Sequence, residues 1–101
     1  MITIVPVGSG GAAATGLQAA WEGGQFVIIV APRGLVACGI VDPAVSEKFG
    51  FAVAIARGTP EKPLVTPDDL LEARIALVTP EAAKRGVAAG MTGREALALL
   101  S

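Results

Sequence analysis

The stretch Ile2-Thr-Ile-Val-Pro-Val-Gly-Ser-Gly-Gly-Ala-Ala-Ala-Thr-Gly-Leu-Gln-Ala-Ala-Trp21 decides the fold. An apolar run leads into Gly8 and Gly10, Ala13 follows three places on, and an Ala-rich segment comes next. This is near the strand, G-x-G-x-x-(G/A), helix pattern of dinucleotide-binding proteins. The alternative is a glycine-rich bend between antiparallel strands. Residues 14–21 fit either: Thr15, Leu17, Ala19 and Trp21 share one side at period two, while the alanines favour helix. Gly16 would interrupt that helix, however, and Gly23-Gly24 would close it after barely three turns. Moreover, the next strand, "QFVIIVA", is followed by a tight turn instead of a crossover helix. Arg33 at its end only superficially fits a phosphorylated cofactor. The bend is the expected reading, with no cofactor.

Working outward, "APRG" has Pro second and Gly fourth, a type I turn pattern, between "QFVIIVA" and "LVACGIV". These two runs predict a β-hairpin with both faces apolar. Asp42-Pro43 predicts an N-cap and first helical position for a helix from about Pro43 to Phe49. "FAVAIAR" predicts a strand with Phe51, Val53 and Ile55 on one face and alanines on the other, where a helix can approach closely. Residues 59–65 read as an exposed Pro-rich loop. Thr66-Pro67-Asp68-Asp69 opens a second helix with an acidic first turn. "RIALVT" is a last strand, Thr79-Pro80-Glu81 opens a third helix, and Thr92-Gly93-Arg94-Glu95 is a capping box opening a fourth. Strands first, then strands and helices mixed, predict an α+β fold: a two-layer α/β sandwich with a largely antiparallel or mixed sheet and short helices on one face.

The chain has 101 residues, which predicts one domain over 1–101. Of these 52% are apolar and 17% charged, more apolar side chain than one small core can hide, so a homo-oligomer is expected. Short helices cover one sheet face, and the other face needs a second subunit or other covering. A net charge of -1 with 4% aromatics speaks against nucleic acid. The apolar runs are too short for a membrane span, and the absence of Lys or Arg before Arg33 argues against a signal peptide. With a lone cysteine as well, a cytoplasmic location is expected. There is no histidine, which removes the usual metal ligand and general base, so no metal site is expected.

Four places remain for chemistry. Cys38 is the only thiol, and as a nucleophile it would need a cation such as Arg57 or Arg94 to stabilise the thiolate, with Asp42 as proton carrier. Cys38 also reads as a small apolar strand residue, and Asp42 as an N-cap. Arg57, at the rim of an apolar face before Gly58, suits a carboxylate or phosphate clamp or an ion pair. The Gly90-to-Arg94 helix start, with Thr92, Gly93 and Arg94, has the makings of an anion site, but its capping box already uses some of the free N–H groups.

The strings "RGLVACGIVD", "AIARG", "DLLEARIALVT" and "GVAAGMTGREALALL" resemble the YunC-like family of small bacterial and archaeal proteins, a domain of unknown function. The resemblance covers nearly the whole chain and implies a two-layer α/β sandwich in which the segment after the first loop is a strand. Residues 59–65 depart from it by looking several residues longer. No activity is implied. The expected function is a ligand-binding or assembly module in which Arg57 and Arg94, near Gly39, Gly58 and Gly93, hold a small anion. The rivals are a thiol-dependent enzyme built on Cys38 and a structural subunit that docks another protein through an apolar sheet face.

Overall fold

A computed structural model describes residues 1–9 and 12–101. Among the described residues six strands form one sheet in sequence order: β1 (Ile2–Ser9), β2 (Ala12–Trp21), β3 (Gly24–Ala31), β4 (Gly34–Ala37), β5 (Val53–Ala56) and β6 (Ile75–Val78). The first four run as an antiparallel meander, β4 and β5 are parallel, and β5 and β6 are antiparallel. The sheet is therefore mixed, as expected. Four short helices complete the α+β fold: α1 (Pro43–Lys48), α2 (Pro67–Glu72), α3 (Pro80–Lys84) and α4 (Gly93–Leu99).

The opening stretch is a hairpin. Gly8 pairs with Ala13 and Ser9 with Ala12, so a second strand follows the glycine-rich loop. Gly10, the middle glycine of the dinucleotide pattern, lies outside the described residues. Gly16 has a packing reason to be glycine. A Cβ there would sit 2.5 Å from Pro67 Cγ and 3.1 Å from Val7 Cγ2, so its absence lets α2 rest on β2.

One sheet face carries Val27, Ile29, Val36, Ala54 and Ala56, which pack with Leu70, Leu71, Ala82, Leu97 and Leu100 of the helical layer. The alanine face of β5 is thus the one a helix approaches. The opposite face carries Ala37, Val53 and Ile55, joined by Ile28, Leu35 and Val41. Val41 immediately precedes the cap of α1, and α1 contacts β5. This segment lies on the opposite face because a parallel β4–β5 pair needs a crossover between its strands.

All four helices start where side-chain caps allow. Asp42 accepts a hydrogen bond from Ala44 N–H at 2.8 Å, while Thr66, Thr79 and Thr92 accept from the N3 N–H of their own helices. The "LVACGIV" run is strand only to Ala37; Cys38 N–H still donates to Val27 O at 3.1 Å, and the chain then turns toward α1. Phe51 likewise precedes its strand, which begins at Val53.

Candidate functional site

The antiparallel β5–β6 ladder contains an irregularity. Ala54 faces Val78 and Ile55 faces Leu77, yet Ala56 faces Ile75, so the register shifts by one residue on β6. Such a bulge re-aims the side chains that follow it. Continuing outward from Ala56 and Ile75, the next residues are Arg57 and Arg74. Without the shift, Ala56 would face Ala76 and position 57 would align with Ile75.

Arg57 and Arg74 line a cavity of about 330 Å³ with Thr59, Lys62, Leu64, Asp69, Glu72 and Ala73. Its outer wall is the Pro-rich loop. Thr59 and Lys62 exchange backbone hydrogen bonds of 3.2 and 3.1 Å, and Lys62 N–H also donates to Thr59 Oγ1 at 3.0 Å. Leu64 is buried in the core, and its carbonyl accepts from Gln25 Nε2 at 3.2 Å. A Cβ on Gly58 would come within 2.9 Å of Leu64 N, so glycine lets the loop fold back onto the strand end.

The charges in this cavity are unequally engaged. Asp69 completes the capping box of α2, its Oδ2 accepting from Thr66 N–H at 2.9 Å and Val65 N–H at 3.0 Å. Those backbone donors, Thr66 first and Val65 next, hold its carboxyl below its ordinary pKa. Glu72 accepts from Arg94 Nη2 at 2.9 Å. Arg74 donates from Nη1 to Gly90 O at 3.0 Å. Among the described residues none of Arg57, Lys62 and Arg74 forms an ion pair. Three cations thus border a space whose two carboxylates already accept hydrogen bonds, and the charge of Lys62 also acts on Asp69.

The remaining candidates separate. Arg94 lines a different cavity, of about 270 Å³, beside Pro6, Gly8, Pro67 and Asp68. Its link to the first cavity runs through Glu72. Thr92 is bridged to Arg74 along the backbone. The Thr92 and Glu95 N–H groups are consumed in their capping box: Thr92 N–H donates to Glu95 Oε1 and Glu95 N–H to Thr92 Oγ1, each at 3.1 Å. The Thr92 N–H is the main reason the Glu95 carboxyl lies below its ordinary pKa. Gly93 is buried because α4 closes on α2; a Cβ there would run into the Leu70 carbonyl. Gly39 is exposed, with nothing near its Cβ position. Cys38 is 8% exposed and belongs to the helix-covered core, while the Asp42 carboxylate caps α1. Arg74 and Lys62 were missed. Nothing local in "RIALVT" or "TPEKPLV" signals them, because the fold of β6 and the closure of the loop bring them to the cavity that Arg57 lines.

Among the described residues no three Cys, Asp or Glu side chains cluster as metal ligands, and no helix is long and apolar enough to cross a membrane. Fold and cavity together define a small mixed-sheet α+β protein with a cavity bordered by Arg57, Lys62, Arg74, Asp69 and Glu72. The chain belongs to the family described as a domain of unknown function, DUF1805, whose model matches residues 37–100. That assignment agrees with the YunC-like resemblance of its sequence. The same architecture occurs in the crystal structure of a protein of unknown function, TA1206 from Thermoplasma acidophilum. The two are 24% identical with a TM-score of 0.89, over 100% of this chain and 94% of that one, a likeness that shows the fold. No curated protein matches the chain.

Proposed function

We propose that this protein binds a small oxyanion, a carboxylate or phosphate group, between Arg57 and Arg74, with Lys62 as a third cation. The observation that supports the reading is that Arg57, Lys62 and Arg74 line one cavity without forming an ion pair among the described residues, while its two carboxylates accept hydrogen bonds from other groups. Two guanidinium groups bordering one cavity can converge on an anion there, each through charge-assisted hydrogen bonds. Leu64 and Ala73 give the cavity an apolar floor that accommodates a short hydrocarbon body behind the anionic group. Arg94 acts at second hand, by holding the Glu72 carboxylate.

Thermal unfolding in inorganic phosphate and in succinate, against chloride at equal ionic strength, tests the reading. Binding only to the folded state stabilises it by about 2.7 kcal/mol at a hundredfold excess over Kd. The wild type is expected to gain stability in at least one of the two anions. Arg57→Ala and Arg74→Ala, both at exposed positions, are expected to lose that gain while keeping their melting temperature in chloride. A gain retained in both variants would overturn the assignment.

A further inference from the structure

Arg33 takes no part in the anion cavity, and it borders a larger one. Val30 of β3, Pro32 in the turn, Leu35 of β4, and Phe51 and Ala52 ahead of β5 line about 440 Å³ with it. This space lies beside the start of β5, whereas Arg57 follows the last residue of that strand, so the two cavities sit at opposite ends of β5. The backbone around it is pinned. Arg33 N–H donates to Leu100 O at 2.8 Å, Leu35 N–H to Ala52 O at 2.9 Å and Phe51 N–H to Ser46 O at 3.0 Å. Phe51 O also accepts from the Thr79 hydroxyl at 2.6 Å. Glycine at position 34 permits this closure, since a Cβ there would lie 2.5 Å from Ala52 O. The Phe51 ring stacks on Phe49 at 5.6 Å with 22° between their planes, yet it stays 53% exposed. Among the described residues Arg33 forms no ion pair, and no acidic residue lines this cavity.

We propose that this cavity binds an aryl carboxylate, its carboxylate on the Arg33 guanidinium and its ring against Phe51. A guanidinium matches a carboxylate through two parallel, charge-assisted hydrogen bonds. One cation with no acidic neighbour in the lining suits a single negative charge, which sets this site apart from the Arg57 cavity with its three cations and two carboxylates. Apart from Arg33, every side chain of the lining is apolar. A hydroxyl-rich ligand body would lose its water there and find no side-chain partner, whereas a hydrocarbon ring gains by burial. A ring that meets Phe51 gains further, because aromatic pairs attract beyond the area they bury. The volume is that of a small-molecule pocket, and walls held by backbone hydrogen bonds leave little to be ordered when the ligand arrives. The site stands independently of the Arg57 cavity.

Amide NMR titrations of the full chain with phenylacetate, acetate and benzyl alcohol, at constant ionic strength, test the proposal. Phenylacetate is expected to give saturable shifts concentrated on residues 30–35 and 50–52. Acetate lacks the ring and benzyl alcohol lacks the charge, so each is expected to bind at least about tenfold more weakly. Arg33 and Phe51 are both exposed, so Arg33→Gln and Phe51→Leu are expected to keep the wild-type spectrum away from the cavity. Arg33→Gln should weaken phenylacetate by about tenfold or more, and Phe51→Leu by roughly two- to tenfold. The absence of saturation, or an affinity unchanged in Arg33→Gln, would overturn the proposal. Benzyl alcohol binding as tightly as phenylacetate would overturn it too, because the cation would then have no role. So would shifts spread along β1 to β3 or centred on residues 57–62, which would place the ligand elsewhere.

Discussion

Replacing Thr79 by valine removes one hydroxyl group and little else, and that hydroxyl joins three elements. Thr79 is 2% exposed; its Oγ1 donates to Phe51 O at 2.6 Å and accepts from Val53 N–H at 3.0 Å and Ala82 N–H at 3.4 Å. It therefore caps α3 and also satisfies a donor at the start of β5, where Val53 is fully buried. Loss of the cap costs about 1 kcal/mol. An unsatisfied buried N–H costs about 1–3 kcal/mol more. Because one oxygen serves both, the two losses overlap, and about 3 kcal/mol is expected in all. For a domain of this size that lowers Tm by roughly 10–25 °C. Urea unfolding of wild type, Thr79→Val and Thr79→Ser at one protein concentration measures it. Valine should lower the midpoint without changing the slope, and serine, which keeps the hydroxyl, should lose about 1 kcal/mol for its missing methyl. A loss below about 1 kcal/mol for valine would refute the accounting, since even an ordinary cap is worth that much.

Other outcomes follow from the same contacts. Glu72→Gln removes a negative charge from the cavity wall and should tighten phosphate binding by roughly two- to fivefold, as expected for an exposed charge; Arg94→Ala, which releases Glu72, should weaken it, and isothermal titration of the two variants checks both signs. Gly93→Ala drives a Cβ into the Leu70 carbonyl and should cost about 3 kcal/mol in urea unfolding, as overpacking against backbone does. Asp69 and Glu95 both have folded pKa values below their ordinary 3.8 and 4.5, so their contribution to stability is present above those values and is lost as pH falls through the lower folded ones. Acid titration of thermal stability should therefore be shallower below about pH 4 in Asp69→Asn than in wild type. Cys38 should react with iodoacetamide at neutral pH only after denaturation, because it is buried in the helix-covered core; rapid labelling of the folded chain would favour thiol chemistry instead.

Local signals carried much of the fold. Asp42-Pro43, Thr66-Pro67, Thr79-Pro80 and Thr92-x-x-Glu95 each mark a helix start through one side chain and its nearest N–H groups, so neighbouring residues suffice to read them. The β3–β4 hairpin was legible for the same reason, from Pro32 and Gly34 between β-branched runs. Residues 14–21 were ambiguous because alanine is neutral about which face it presents; the register against Ile2–Ser9 and Val27–Val30 settles them as strand. The site was only half legible. Arg57 stood out at the end of a strand, but its neighbours Arg74 and Lys62 arrive through a register shift on β6 and a closed turn in the 59–62 loop. Neither leaves a periodic trace, since each depends on contacts with residues distant in sequence. The expectation that Arg57 and Arg94 share a cavity rested on their similar Gly-flanked positions; the structure places them on two cavities with Glu72 between.

An amide NMR titration with inorganic phosphate at constant ionic strength is the most direct test of anion binding at this pocket. The account predicts saturable shifts concentrated on residues 57–62 and 72–74, absent in Arg57→Ala. Shifts confined to the Gly93–Glu95 helix start, or no saturable shift at all, would contradict it.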